Sequence, residues 1–242
     1  MEDKNFIHLK EVNSTNDYVK KHMPKLENLT FVYSDRQTSG RGRLERKWID
    51  SGDDNLFLTI VIKPKKSEFE HISNYTQYLS VILAMVLEEE YNLSPQIKWP
   101  NDVLIDGKKI AGILAEGTTI GGKFLGLALG IGVNLNTSAN KLSQIDKPAT
   151  SIFNETRKKV DKVKFLEKLY SKFCLLYDSF VCEGFLSIKE HYIKRAMFLK
   201  KPVSVNVLGI VHNGIAENIT DEGSLILKEN NELNIYYIGD IL

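Results

Sequence analysis

Apolar residues recur along the 242-residue chain with two different spacings, and the switches between them mark out its elements. Phe6 to Val12 alternates in part and predicts a short strand. Asn13 to Asp17 follows, then an amphipathic run to Met23 stopped by Pro24; Ser14 with Asp17 three residues later resembles a capping box. Leu29 to Asp35 reads as a strand, and Asn55 to Lys63 as a buried strand ended by Pro64. Between Ser67 and Tyr91 the residues Phe69, Ile72, Tyr75, Leu79, Ile82, Leu83 and Val86 return every three or four positions, which predicts the longest helix, with one stripe facing the core. Asp106-Gly107 between apolar runs signals a two-residue hairpin. Gly117 to Lys123 matches the start of a phosphate-binding P-loop, but Phe124 stands where Ser or Thr would hold magnesium and a strand follows, so the segment reads as a hairpin turn. Helices are expected from about Val160 to Val181 and from Phe185 to Phe198. Beyond Leu199 the texture changes to four short strands within 202–238, with turns at Asn213-Gly214 and Asp221-Glu222-Gly223. The expected fold class is α+β: a mixed, mostly antiparallel sheet backed by helices over residues 1–198, then a small β-barrel module over 199–242.

Composition narrows the field. Charged residues make up 26% and the net charge is +1, so no overall basic bias points to nucleic acid or a membrane surface. The two cysteines, Cys174 and Cys182, lie on one predicted helix and read as reduced core thiols of a cytoplasmic protein. The first residues are polar and of mixed charge, unlike a signal peptide, and no run of about 18 apolar residues is present to span a membrane.

The candidate chemistry is concentrated in three stretches. Gly40-Arg41-Gly42-Arg43 with Arg46, Lys47 and Trp48 combines guanidinium forks, close backbone approach and a flat indole. It reads as a loop that closes on an anion carrying a flat ring, such as a nucleotide; the alternative is a solvated basic loop. In Lys98-Trp99-Pro100-Asn101-Asp102 through Gly112, the predicted hairpin puts Asp102 diagonal to Lys109 with Lys98 just upstream. That reads either as a weak surface ion pair or as a site for a polyanion and a metal ion. In Gly130-Ile131-Gly132-Val133-Asn134 alternate glycines imply that something packs against the strand backbone, and Asn134 either reads an adenine edge or closes a turn. No Ser/His/Asp set, Cys/His pair or metal-binding cluster stands out among the five histidines. Charge of this kind suits attack of a bound carboxylate on the α-phosphate of ATP, a step that needs alignment and neutralisation rather than a protein nucleophile.

Taken in order, Ser14-Thr15-Asn16, the Gln37…Gly40-Arg41-Gly42-Arg43…Trp48 loop, Lys98 to Asp102, Lys109-Ile110-Ala111-Gly112 and Gly130 to Asn134 resemble the motifs of biotin protein ligase, across almost the whole chain. The resemblance implies an enzyme, a biotin–[acetyl-CoA-carboxylase] ligase. It makes biotinyl-5′-AMP from biotin and ATP with Mg2+, then transfers biotin to a lysine of a biotin carboxyl carrier domain of acetyl-CoA carboxylase or another biotin-dependent enzyme. It implies that Ser14, Thr15, Asn16, Gln37, Arg41, Gly42, Arg43, Trp48, Lys109, Gly112, Gly130 and Gly132 surround biotin. Arg43, Arg46, Trp48, Lys98, Asn101, Lys109 and Asn134 would meet the nucleotide. Arg43, Lys109, Lys98 and Asp102 would be the catalytic set, with Asp102 helping to hold Mg2+, and the C-terminal module would be SH3-like. Bifunctional relatives carry an N-terminal winged helix that binds DNA. Here the Ser14-Thr15-Asn16 motif lies close to residue 1, so a ligase without specific DNA binding or repressor activity is expected, with a homodimer through an exposed sheet edge as a further possibility.

Two other functions are weighed. A lipoate or octanoate ligase shares the fold but not the biotin motifs, and competition between the acids separates them. A nucleic-acid-binding module built on Arg41, Arg43, Arg46 and Lys47 is disfavoured by the near-zero net charge and predicts only salt-screened binding.

Overall fold

The computed structural model describes residues 5–43, 48, 55–144 and 147–242, the Ser67 side chain excepted. The chain divides into two units, Met1–Ile72 with Gly107–Glu167, and Ser73–Asp106 with Lys168–Leu242. Arg46 and Lys47 of the basic loop lie outside the described residues.

The first unit is a sheet carrying one helix on its face. Its strands are β1 (Phe6–Val12), β2 (Phe31–Gln37), β3 (Asn55–Ile62), β6 (Lys108–Ile120) and β7 (Lys123–Asn134), in the order β1-β2-β3-β7-β6. The pair β1 and β2 is parallel; β2 with β3, β3 with β7, and β6 with β7 are antiparallel, so the sheet is mixed and mostly antiparallel as expected. Every residue of β3 is buried, because it is a central strand covered on both faces. Helix α1 (Thr15–His22) packs Val19, together with the following Met23, against Val32, Val61 and Ala128 of the sheet. The hairpin turn expected over Gly117 to Lys123 is present but shorter, confined to Gly121-Gly122: both residues take positive φ, 56° and 77°, and Ile120 pairs with Lys123, so Gly117 to Ile120 belong to β6. Phe124 therefore continues a strand, and the P-loop alternative is excluded. Asp106 and Gly107 likewise take φ of 48° and 74°, as a tight two-residue turn requires. Short helices α3 (Ala139–Leu142) and α4 (Ile152–Thr156) follow β7.

The second unit is built around α2 (Tyr75–Tyr91) and the strand pair β4 (Pro95–Lys98) and β5 (Asp102–Ile105), followed by α5 (Lys162–Glu183, which begins in the first unit) and α6 (Lys189–Arg195). The stretch expected to be one helix from Ser67 is two elements, a 3-10 segment over Lys66–Asn74 and then α2, so α5 is the longer helix. Nor is α2 striped: it is buried nearly all round from Tyr75 to Leu87, while Phe69 of the expected stripe is exposed. A helix covered on every side needs no polar face, and its periodicity is correspondingly weak. Tyr78 stacks on Phe180 with ring centroids 4.3 Å apart, and its hydroxyl donates to the Phe173 carbonyl. Arg195, almost fully buried, closes a two-pronged ion pair on Glu88. The cysteines do not behave as core thiols: Cys174 is half-buried and Cys182 exposed, both on α5 and both unpaired with each other.

The C-terminal strands β8 (Pro202–Val207), β9 (Ile210–Ile219), β10 (Leu225–Glu229), β11 (Glu232–Tyr236) and β12 (Asp240–Ile241) form an antiparallel sheet in the order β11-β10-β9-β8-β12. Among the described residues no pairing joins β11 to β12, so the module is a small open sheet and not a closed barrel. Asn213-Gly214 is not a turn but the middle of β9; the reversal lies at Leu208-Gly209, with φ of 51° and 93°. Gly214 is needed there for space, since a Cβ would stand 2.4 Å from the Lys228 carbonyl oxygen of the neighbouring strand. The turn before β10 is tied into this unit by Asn74, which donates to the Glu222 carbonyl at 2.8 Å, and by Gln77 and Trp99, which donate to the Gly223 carbonyl at 2.8 and 3.2 Å. No helix among the described residues is long and apolar enough to cross a membrane.

Candidate active site

Helix α1 begins over the middle of the first unit's sheet, and its first turn supplies the polar end of the site. Ser14 is extended, and its hydroxyl accepts from the Asp17 N–H at 3.4 Å. Only this half of the expected capping box forms, because the Asp17 carboxylate turns away to Arg41. Both the Thr15 N–H and its hydroxyl donate to Gln37 Oε1, at 2.8 and 3.0 Å. Using both lone pairs of that oxygen orients the amide so that its Nε2 faces Gly40, where a Cβ would come within 2.9 Å of it. Thr59 Oγ1 lies within donating distance of Thr15 Oγ1, 2.8 Å, and of Asn16 Oδ1, 2.7 Å. Asn16 Nδ2 donates to Glu116 Oε2 at 2.8 Å and to the Leu114 carbonyl at 3.2 Å. Ser14, Thr15 and Asn16 are all buried.

The floor is bare backbone. A Cβ at Gly130 would stand 2.2 Å from Asn16 Oδ1; one at Gly132 would stand 2.6 Å from Trp48 Cε2; one at Gly112 would meet both Lys109 Nζ and Trp48 Cζ3 at 2.9 Å. The alternate glycines thus do what their spacing implied, admitting Asn16 and the indole against the strands. Trp48 is tethered by its N–H to the Gly40 carbonyl at 3.0 Å, and its buried indole Nε1 meets no acceptor among the described residues. Lys109 Nζ sits 5.6 Å from the centre of that indole, a cation–π arrangement. The Lys109 backbone is held on both sides: its N–H donates to the Pro148 carbonyl and its carbonyl accepts from the Thr150 N–H, each at 2.9 Å. Thr150 in turn accepts from Asn134 Nδ2 at 2.9 Å.

The segment carrying Arg41, Gly42 and Arg43 leaves β2 alongside Asn13, with Thr38 N–H donating to the Val12 carbonyl and Ser39 N–H to the Asn13 carbonyl. Arg41 grips Asp17 with both terminal nitrogens, at 2.8 and 2.6 Å; Arg43 is half-buried. In the first unit Thr15, Asn16, Gln37, Trp48, Lys109, Gly112, Gly130 and Gly132 are thus joined by one chain of contacts, with Ser14 capping α1, Arg41 linked through Asp17 and Asn134 through Thr150. In the second unit Lys98 and Asp102 stand directly opposite each other across β4 and β5, with buried Trp99 and Asn101 in the turn between them and a cis peptide at Trp99–Pro100. Three residues of the polar network were not singled out from sequence. Thr59 had a signal, a lone polar residue inside the apolar run of β3. Glu116 closes the Lys109-to-Glu116 stretch. Asp17 was read only as a capping residue.

The Arg41 fork holds the Asp17 carboxyl below its ordinary value; burial opposes this and Lys20 adds to it. A depressed folded value means that the link stabilises the fold above the ordinary carboxylate range and that this contribution is lost as pH falls through the lowered value. Unfolding midpoints measured in urea from about pH 6 down to about pH 2 are expected to fall less steeply for Asp17→Asn than for the wild type. Parallel curves would show that this carboxylate is not linked to folding.

This geometry can be set beside known proteins. The Biotin/lipoate A/B protein ligase family matches residues 9–134, a span that holds every candidate residue from Ser14 to Asn134. The chain belongs to this family. Among curated members of related sequence, the biotin–[acetyl-CoA-carboxylase] ligase of Paracoccus denitrificans is 32% identical over 228 residues, 91% of this chain and 92% of that protein. The bifunctional ligase/repressor BirA of Bacillus subtilis is 29% identical over 213 residues, 88% of this chain; the match spans 65% of that longer protein. A biotin protein ligase from Aquifex aeolicus, solved in complex with biotin and ATP, superposes with a TM-score of 0.87 at 28% identity, covering 99% of this chain and 98% of the other. Within the biotin/lipoate ligase family, then, this member sets the first turn of α1 against the glycine-bearing strands β6 and β7 and against Thr59 of β3.

Proposed function

We propose that this chain activates biotin with ATP and transfers it to a lysine of a biotin carboxyl carrier domain. The observation that carries the reading is the cradle itself. Neutral donors and acceptors at the start of α1, an indole and a lysine ammonium beside it are seated on the glycines of β6 and β7, in a fold whose Aquifex relative was solved with biotin and ATP. A ureido ring is a neutral group that both donates and accepts, which matches Ser14, Thr15, Asn16 and Gln37; its fused thiophane ring suits the apolar wall and bare floor.

In the first step a biotin carboxylate oxygen attacks the α-phosphorus of ATP, and pyrophosphate leaves. Lys109 and Arg43 neutralise the carboxylate and phosphate charge, and Lys98 and Asn101 serve the nucleotide, with Asn134 at the adenine. In the second step the acceptor lysine amine attacks the acyl carbon, AMP leaves, and the amine loses a proton. Water exclusion over the reactive anhydride is the task of the Arg41–Trp48 stretch. MgATP enters as the substrate. Among the described residues no three His, Cys, Asp or Glu side chains gather into a metal site. Magnesium at phosphates is typically held by one or two carboxylates and by the phosphates themselves, and Asp102, facing Lys98, is the carboxylate that suits this role. We assign residues 1–198 to catalysis and read the open C-terminal sheet over 199–242 as the family's SH3-like module.

The test is biotin-dependent exchange of pyrophosphate into ATP, followed by label transfer to a carrier domain. Exchange with biotin supports the proposal. Exchange with lipoate or octanoate but not biotin would move the chain to the lipoate branch of the same family.

A further inference from the structure

Four charged side chains from three elements alternate in sign beside the polar end of the site. Asp17 and Lys20 come from α1, Arg41 from the segment after β2, and Glu116 from β6. Arg41 is bidentate on Asp17, at 2.8 and 2.6 Å, and its Nη2 lies 3.7 Å from Glu116 Oε1. Lys20 bridges the two carboxylates, 2.5 Å from Glu116 Oε1 and 3.3 Å from Asp17 Oδ1. The other oxygen of Glu116 accepts from Asn16 Nδ2 at 2.8 Å, and Asn16 is the side chain seated on Gly130.

Stability alone does not account for this arrangement. The side chains are a quarter to two-fifths exposed, and pairs this wet contribute only about 0–1 kcal/mol each. What the quartet does have is geometry. A planar fork on a carboxylate fixes orientation as well as distance. One end of the network holds Arg41, in the segment whose Thr38 and Ser39 are already tied to Val12 and Asn13, and the other holds Asn16 in the first turn of α1.

We propose that Asp17 and Glu116 are positioning residues for the polar end of the ligand site. They act through Arg41 and Asn16, so that their loss weakens capture and retention of the acid and its adenylate without changing the adenylation chemistry. The inference rests on the biotin-ligase reading for its ligand, but its structural half can be tested without one.

The experiment uses the full chain, its Asp17→Asn and Glu116→Gln variants, and the pair Asp17→Asn with Arg41→Gln. Hydrogen–deuterium exchange of residues 38–43, with no ligand added, is expected to quicken in both single variants while thermal midpoints stay close to the wild type. In pyrophosphate exchange the KM for biotin is expected to rise by about tenfold in each with kcat held within about twofold, a split that a general loss of folded protein does not produce. Adding Arg41→Gln to Asp17→Asn should cost little more than Asp17→Asn alone, because both break the Asp17–Arg41 link. Raising salt from about 0.05 to about 0.5 M should raise the wild-type KM and leave that of Asp17→Asn nearly where it is. Unchanged hydrogen exchange in both variants, or a fall in kcat at constant KM, overturns the proposal. If the wild type shows no biotin-dependent exchange, the functional reading fails, and the hydrogen-exchange comparison still decides whether the quartet holds the segment.

Discussion

Gly130→Ala is expected to cost about 3 kcal/mol of folding stability and to remove most biotin-dependent activity, because one methyl group displaces Asn16. The added Cβ would lie 2.2 Å from Asn16 Oδ1, far inside contact distance. Asn16 cannot swing aside cheaply. It is a short, buried side chain fixed by Thr59 at 2.7 Å, Glu116 at 2.8 Å and the Leu114 carbonyl at 3.2 Å. Relief requires breaking at least one of these bonds or moving α1 off the sheet, where Val19 and Met23 pack with Val32, Val61 and Ala128. Urea denaturation would measure the first effect and the KM for biotin the second. An alanine variant with a wild-type midpoint and KM would show that Asn16 does not rest on this glycine in solution.

Lys109→Ala is expected to lower kcat/KM for pyrophosphate exchange by about a thousandfold, with stability changed by no more than about 1 kcal/mol. The separation is possible because Lys109 is held by its backbone, through the Pro148 carbonyl and the Thr150 N–H, and those bonds survive truncation. What is lost includes the ammonium's contact with Trp48, a cation–π contact worth about 0.5–1 kcal/mol. The remainder of the effect must come from charge that develops during the reaction. A variant that loses stability in step with activity would place Lys109 in the fold, and one that keeps full activity would remove it from the adenylation step.

Much of this architecture could be read from the chain because local signals and tertiary structure agreed. Turn residues between apolar runs mark the Asp106-Gly107 turn and a hairpin within Gly117–Lys123, and Asp106, Gly107, Gly121 and Gly122 adopt the positive φ that such turns need. The paired glycines of β7 announced close packing, and Asn16 and Trp48 supply it. The errors arose where a local cue had a non-local cause. Asn213-Gly214 has the composition of a turn, yet the glycine is there because the Lys228 carbonyl of the next strand leaves no room for a side chain. The stripe expected on α2 assumed one buried face, and the helix is covered all round. Partners such as Thr59 and Glu116 escaped because hydrogen bonds spanning 43 and 100 positions leave no periodic trace. The motif residues themselves were found by resemblance more than by pattern, since nothing local relates Ser14 to Gly130.

The glycine floor also bears on how this protein could be redesigned. Pockets are usually enlarged by trimming a side chain, and at residues 112, 130 and 132 there is none left to trim. On the biotin reading, a version that accepts a bulkier acid has to gain its room from the indole at Trp48 or from the first turn of α1. Additions at these glycines meet Asn16, Trp48 or Lys109 before anything else. Selectivity in this scaffold is therefore adjustable from one side, and a mutant library weighted toward the wall and the first turn of α1 would sample the useful changes.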